Sequence, residues 1–138
     1  MMQNIAQQPT PAEQKQIAKI VKAFLVKEAG NERDADILLG QLGKIIQGQG
    51  AKLIHLGENV FLVAVQGPNQ VEVQNISLSR TTLNKNMDRL MKTLRGLGVS
   101  TVDYLDPKGK DMSALKRNKI TFDQSKNDAG ENVYRITL

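Results

Sequence analysis

Near residue 50 the spacing of apolar residues changes, and that change limits the folds open to the chain. Ahead of it, Ile17, Ile20, Val21, Phe24 and Leu25 recur at intervals that place them on one helical face, as do Ala35, Leu38, Leu39, Leu42, Ile45 and Ile46. Beyond it, Lys52–Leu56 and Val60–Val65 read as strands joined by Gly57-Glu58-Asn59. Two helices lead and a sheet follows: an α/β (α+β) architecture in 138 residues, the size of one domain.

Local signals mark the helix ends. Thr10-Pro11-Ala12-Glu13 is a capping box with proline at the first helical position. Gly30 stops the first helix, and Asn31 opens the second with Glu32 and Asp34 in its first turn. Gly40 and Gly43 each weaken that helix by about 1 kcal/mol relative to alanine, and suit close approach of a neighbour. Gly48-Gln49-Gly50 ends it. Residues 1–9 are Gln-rich and read as a flexible arm, leaving 10–138 as one domain: a helical pair over 10–48 and a sheet region over 52–138.

Within the sheet region, VFLVAV is nearly continuous in apolar residues and reads as a central strand. After the Gly67-Pro68-Asn69-Gln70 turn, Val71, Val73 and Asn75 alternate as a third strand that changes face near its end. A helix over about 82–97 buries Leu83, Met87, Leu90, Met91 and Leu94. Gly98 stops it and Val99–Leu105 is a fourth strand, a right-handed crossover if the two strands are parallel. Met112–Arg117 is a short helix, and Lys119–Gln124 and Val133–Leu138 are final strands joined by Ser125–Asn132.

Several chemistries are excluded by what is missing. With no cysteine there is no disulfide, thiolate metal site or thiol nucleophile, which suits a reducing compartment. A single histidine, His55, leaves a zinc site almost wholly dependent on carboxylates. Three Phe, two Tyr and no Trp make a poor base-stacking platform. No apolar run reaches the roughly 20 residues of a membrane span, and the N-terminus lacks the pattern of a secretory signal, so a cytoplasmic protein with no membrane partner is expected.

The net charge of +5 is concentrated: residues 80–119 hold ten Lys/Arg against four acids. Lys85, Arg89, Lys92 and Arg95 line the outer face of the third helix, and Lys108, Lys110, Lys116 and Arg117 follow. These eight are the candidate contacts to nucleic acid, a nonspecific partner held through its phosphates. The same charge also serves to keep an amphipathic helix soluble. No helix-turn-helix, zinc finger or RNA-recognition motif is present.

Other candidates have plainer readings. Gln47-Gly48-Gln49-Gly50 lacks the lysine and hydroxyl residue of a P-loop and follows a helix, so it is a helix terminator. His55 has no nucleophile paired with it and is read as a structural or surface histidine. Asp103, Asp106 and Asp111 lack calcium-loop spacing and are read as solvated loop carboxylates. No catalytic, cofactor-binding or metal-binding set emerges, and no cofactor is expected.

The order from residue 52 onward, hairpin, strand, helix, strand, short helix, two strands, resembles the later part of the GNAT acyltransferase fold. The VFLV strand, the V-E-V strand, the helix LNKNMDRLMKTLRGLG and the strand V-x-x-V-x-Y are also similar to small GNAT-like proteins of tailed phages. GNAT enzymes hold the acetyl-CoA pyrophosphate on a [Q/R]-x-x-G-x-[G/A] loop opening the central helix, where backbone N–H groups meet the phosphates. In the matching stretch, Arg80-Thr81-Thr82-Leu83-Asn84-Lys85, Arg80 fits, while Leu83 and Lys85 replace the small residues. The tyrosine acid those enzymes commonly carry on the next helix is absent from Met112–Arg117, and Tyr104 belongs to the preceding strand.

The resemblance therefore implies a GNAT-like fold in a non-enzymatic component of a phage particle. Such a protein would be assembled in the host cytoplasm, with its own copies or other virion proteins as partners. An acyltransferase with a degenerate acetyl-CoA loop and a small nucleic-acid-binding regulator are the alternatives. The two apolar helices ahead of the sheet can cover its other face or pack against another chain, and packing against another chain is the expectation.

Overall fold

The Thr10 hydroxyl accepts the Glu13 N–H at 3.2 Å and opens α1 (Pro11–Ala29), which Gly30 closes in the left-handed conformation, φ 86°. Asn31 in turn accepts the Asp34 N–H at 2.8 Å and opens α2 (Glu32–Gln47). These ends follow the sequence signals. The computed structural model describes residues 10–48 and 50–138, so the arm over 1–9 and Gln49 lie outside the described residues. Lys22 of α1 ties the two helices through Asp36 (3.2 Å) and Glu32 (3.6 Å).

Next come β1 (Ala51–Leu56), β2 (Asn59–Gly67), β3 (Gln70–Asn75), α3 (Thr81–Gly96), β4 (Thr101–Asp106), α4 (Met112–Arg117), β5 (Asp123–Lys126) and β6 (Asn132–Thr137). They form one six-stranded sheet in the order β1-β2-β3-β4-β6-β5. Leu56 pairs with Asn59, so only Gly57 and Glu58 bridge the first hairpin; Gly57 supplies the φ of +60° that the first position of such a loop requires. VFLVAV is internal but not central: β3 and β4 occupy the middle. The last strands differ from expectation. Lys119 takes a left-handed backbone (φ 57°) and interrupts the pattern, so β5 starts only at Asp123.

The sheet is covered on both faces. One face and α3 and α4 share a cluster that includes Phe61, Val63, Val73, Leu83, Met87, Leu90, Leu94, Tyr104, Leu115 and Tyr134. On the other face Val21 packs with Val60 and Ile76, and Ile17, Ile20, Phe24, Leu25, Leu39 and Leu42 lie against them half-buried. Asn75, Ile76 and Ser77 are buried in succession, the change of face expected at the end of the third strand.

α1 rests on β2 and α2 on β1, so the helical pair covers the sheet's other face within the chain, the alternative to the favoured packing against another chain. Within the chain Gly40 and Gly43 do not mark a close approach: a side chain built at either meets nothing within 4 Å.

Candidate functional site

β3 and β4 are parallel neighbours joined through α3, whereas the other strand pairs are antiparallel. In sheets with parallel connections, ligands settle beyond the carboxyl ends of the strands, where helix N-termini also point. A cleft of about 100 Å³ lies there. Gln74 and Asn75 end β3, Leu105 and Asp106 end β4, and Phe24, Lys27 and Glu28 of α1 form a further wall.

The loop from β3 into α3 is shaped by Asn59, whose side chain is fully buried. Its amide donates to Ser77 Oγ (3.1 Å) and to the Ser79 carbonyl (3.0 Å), while its oxygen accepts from Thr82 Oγ1 (2.8 Å) and Asn86 Nδ2 (2.9 Å). Ser77 Oγ also accepts the Val60 N–H at 3.1 Å, and the Ser77 hydroxyl donates to Asn75 Oδ1. Every polar atom of Asn59 is used, which fixes the loop to the first hairpin. The N–H groups of Leu78, Ser79, Arg80 and Thr81 have no protein acceptor among the described residues. Four consecutive donors therefore open α3 unpaired.

The loop from β4 into α4 is built on two carboxylates. Asp106 accepts the N–H groups of Lys110 and Asp111, both at 3.0 Å, and the Tyr134 hydroxyl at 2.8 Å. Asp111 accepts the Tyr104 hydroxyl at 2.6 Å and the Arg80 guanidinium at 2.5 Å, and Arg80 also donates to the Lys110 carbonyl. Burial pushes the Tyr104 and Tyr134 hydroxyls well above the ordinary phenol range, and the adjoining carboxylates push them further. Neither phenol is poised to give up its proton near neutral pH. Across the cleft mouth, Lys108 Nζ meets Glu28 Oε1 of α1 at 2.8 Å.

The aspartates read as solvated are thus buried, and two of them are the frame of this loop. The third, Asp103, points to the sheet's other face, where Arg135 grips it through Nε (2.8 Å) and Nη2 (3.0 Å) and Gln70 donates at 3.1 Å. Among the described residues no group of three potential ligands is placed to hold a metal ion. His55 lies away from the cleft, its Nε2 bonded to the Gly57 carbonyl at 2.6 Å.

The eight basic candidates separate in space. Lys108 and Lys110 line the cleft, the former paired with Glu28. Lys85, Arg89, Lys92 and Arg95 are exposed on α3, where Lys92 pairs with Asp88 at 2.9 Å, and Lys116 and Arg117 are exposed on α4. The loop assignment also moves. Leu83 and Lys85 stand inside α3, Leu83 fully buried in the core and Lys85 facing solvent, so neither reaches the cleft. Ser77, Leu78 and Arg80 line it instead. The absence of a tyrosine on α4 stands as read, and Tyr104 is on β4.

No protein-family model matches the chain, and no curated protein does. Solved structures do match over nearly its whole length. The PaiA N-acetyltransferase of Thermoplasma acidophilum, in complex with coenzyme A, superposes with a TM-score of 0.62 at 10% identity over 96% of this chain and 97% of that one. An acetyltransferase of Streptococcus agalactiae gives 0.61 at 12% identity, covering 96% and 95%. The Campylobacter jejuni N-acetyltransferase PseH, in complex with acetyl coenzyme A, gives 0.59 at 15% identity, covering 94% and 93%.

The chain therefore has the GNAT acetyltransferase fold, helices first and then a six-stranded mixed sheet. The likeness takes in α1 and α2 as well as the sheet, so it is wider than the residues 52–138 that carried the resemblance. These findings correct the expectation of a non-enzymatic phage-particle component. These three structures are acetyltransferases, two of them with coenzyme A or acetyl coenzyme A bound, and nothing indicates a virion origin.

Proposed function

We propose that the protein is an acyltransferase that takes its acyl group from a coenzyme A thioester bound at the ends of β3 and β4. The observation that carries this reading is the cleft itself: it lies at the carboxyl ends of the parallel pair, beside four unpaired N–H groups that open a 16-residue helix. Such donors suit a phosphate, since the helix dipole adds to their partial charge. The surrounding charge is compatible. Asp111 is neutralised by Arg80, Asp106 is saturated by three donors, and Lys27 and Lys110 have no ion pair among the described residues.

In this reading the thioester supplies an activated carbonyl carbon. An acceptor lone pair attacks it, the carbon–sulfur bond breaks, and the proton released by the acceptor ends on the thiolate. The chain's own part is to bind and orient, because Tyr104 is held by Asp111 away from the cleft. A space of about 100 Å³ admits only a small part of such a ligand, so the Glu28–Lys108 pair must part to lengthen it.

Titration calorimetry with coenzyme A and with acetyl coenzyme A tests the proposal. Saturable one-to-one binding is expected, weakened in Lys110→Ala and not in Lys92→Ala. No saturable heat at millimolar ligand would overturn it.

A further inference from the structure

We propose that the outer ridge of α2 is the contact surface for a second copy of this chain, packed antiparallel about Gln41. This is independent of the acyl-transfer reading. The inner stripe of α2 (Ala35, Leu39, Leu42) is used within the domain, with Ala35 fully buried. The apolar arc does not stop there. Ile37, Leu38 and Ile45 are 54%, 38% and 53% exposed, and they share the face that carries Asp34 and Gln41. Isolated exposed apolar side chains are ordinary, but three large ones on two turns of one helix form a patch.

The order of residues along the ridge identifies its occupant. Ile37 and Ile45 lie four residues either side of Gln41, about 6 Å along the axis at a rise of 1.5 Å per residue. A two-fold axis through Gln41 therefore sets Ile37 level with Ile45 of the second copy, with Leu38 about 1.5 Å further along the axis and also beside it. Gln41 meets its own copy, an amide pair that can both donate and accept. The same axis leaves Asp34, at the acidic end of α2, about 6 Å along the axis from Lys44 of the second copy, a distance a lysine side chain spans. The ridge is thus self-complementary in shape and in charge.

A lipid surface is the poorer fit, because α2 carries Glu32, Asp34 and Asp36 against only Arg33 and Lys44. The ridge is free to meet a partner, since α1 is tied to the opposite flank by the Lys22–Asp36 pair.

Analytical ultracentrifugation of the full chain tests this, together with cross-linking at the axis. The wild type should sediment as a concentration-dependent dimer. Ile45→Glu should raise its dissociation constant more than about tenfold while leaving the thermal melt of the fold nearly unchanged. Because the chain has no cysteine, Gln41→Cys should give a single disulfide-linked dimer on oxidation. Gly40→Cys, exposed on another side of the same helix, should form no disulfide-linked dimer under the same conditions. Monomer at every concentration, a dimer that survives Ile45→Glu, or equal cross-linking of the two cysteine variants would each overturn the proposal.

Discussion

On one face of the sheet, α3 and α4 close over a continuous cluster that runs in sequence from Ile54 to Ile136. On the other, Val21, Val60 and Ile76 are buried as a small cluster and Ala35 is buried on α2, while most apolar side chains of the helical pair are half-covered. Both layers obey the same periodicity, yet they differ in depth. α3 presents five buried apolar residues to the sheet, whereas α1 and α2 each bury a single residue of their own, Val21 and Ala35. The deep face holds the fold together; the shallow face supplies a cleft wall and an uncommitted ridge. Stability and adaptability are thus divided between two sides of one sheet.

Core truncation tests that division most strongly. Leu90→Ala, at a fully buried position of α3, should cost about 2–5 kcal/mol in urea denaturation. Val21→Ala should cost about 1.5 kcal/mol, at ~0.8 kcal/mol per buried methylene. Equal losses at the two positions would mean that the faces are not unequal.

Asn59→Ala comes next. It strands Ser77, Thr82 and Asn86 without their shared partner and should cost about 1–3 kcal/mol. Loosening the loop that presents the α3 N-terminus should also weaken coenzyme A binding relative to wild type. A stability loss with unchanged affinity would show that the loop does not position the ligand.

The smallest effects concern pH and the open part of the shallow face. Arg135 holds the Asp103 carboxyl below its ordinary range, so the contribution of Asp103 is present above the unfolded pKa near 3.9 and is lost as pH falls through the lowered folded value. Glu72 has the opposite sign. Desolvation, with Asp103 beside it, raises its carboxyl, so its contribution is full at low pH and is lost as pH rises through the raised value. Melting curves across pH should therefore show Asp103→Asn less stable than wild type at neutral pH, with the gap closing in acid. Glu72→Gln should be slightly more stable than wild type at neutral pH. Parallel curves for all three proteins would remove the assigned charges from this face.

Much of the fold was legible because it rests on local rules. Thr10, Gly30 and Asn31 act on their immediate neighbours, and the stripe from Leu83 to Leu94 declares its buried side without knowledge of what covers it. The site was legible far less. Asn59 looks like a turn residue until β2 begins on it and four distant groups converge there. Asp106 and Asp111 look like solvent carboxylates because their partners, Tyr134 and Arg80, lie 28 and 31 residues away. The motif match anchored on Arg80 assigns Leu83 and Lys85 to the phosphate loop, although the same helical stripe that declares Leu83 buried keeps both inside α3. Long-range pairing of polar groups carries no period, and periodicity was the signal available.

The order of the layers along the chain has a consequence for synthesis. α1 and α2 leave the ribosome before any strand exists, so Val21 must wait for Val60 and then Ile76 before it is covered. Throughout that interval the helical pair displays both its inner stripe and the Ile37–Ile45 ridge to solvent. A nascent chain is then at its most adhesive early, and its dependence on chaperone shelter should be greatest before β2 and β3 emerge.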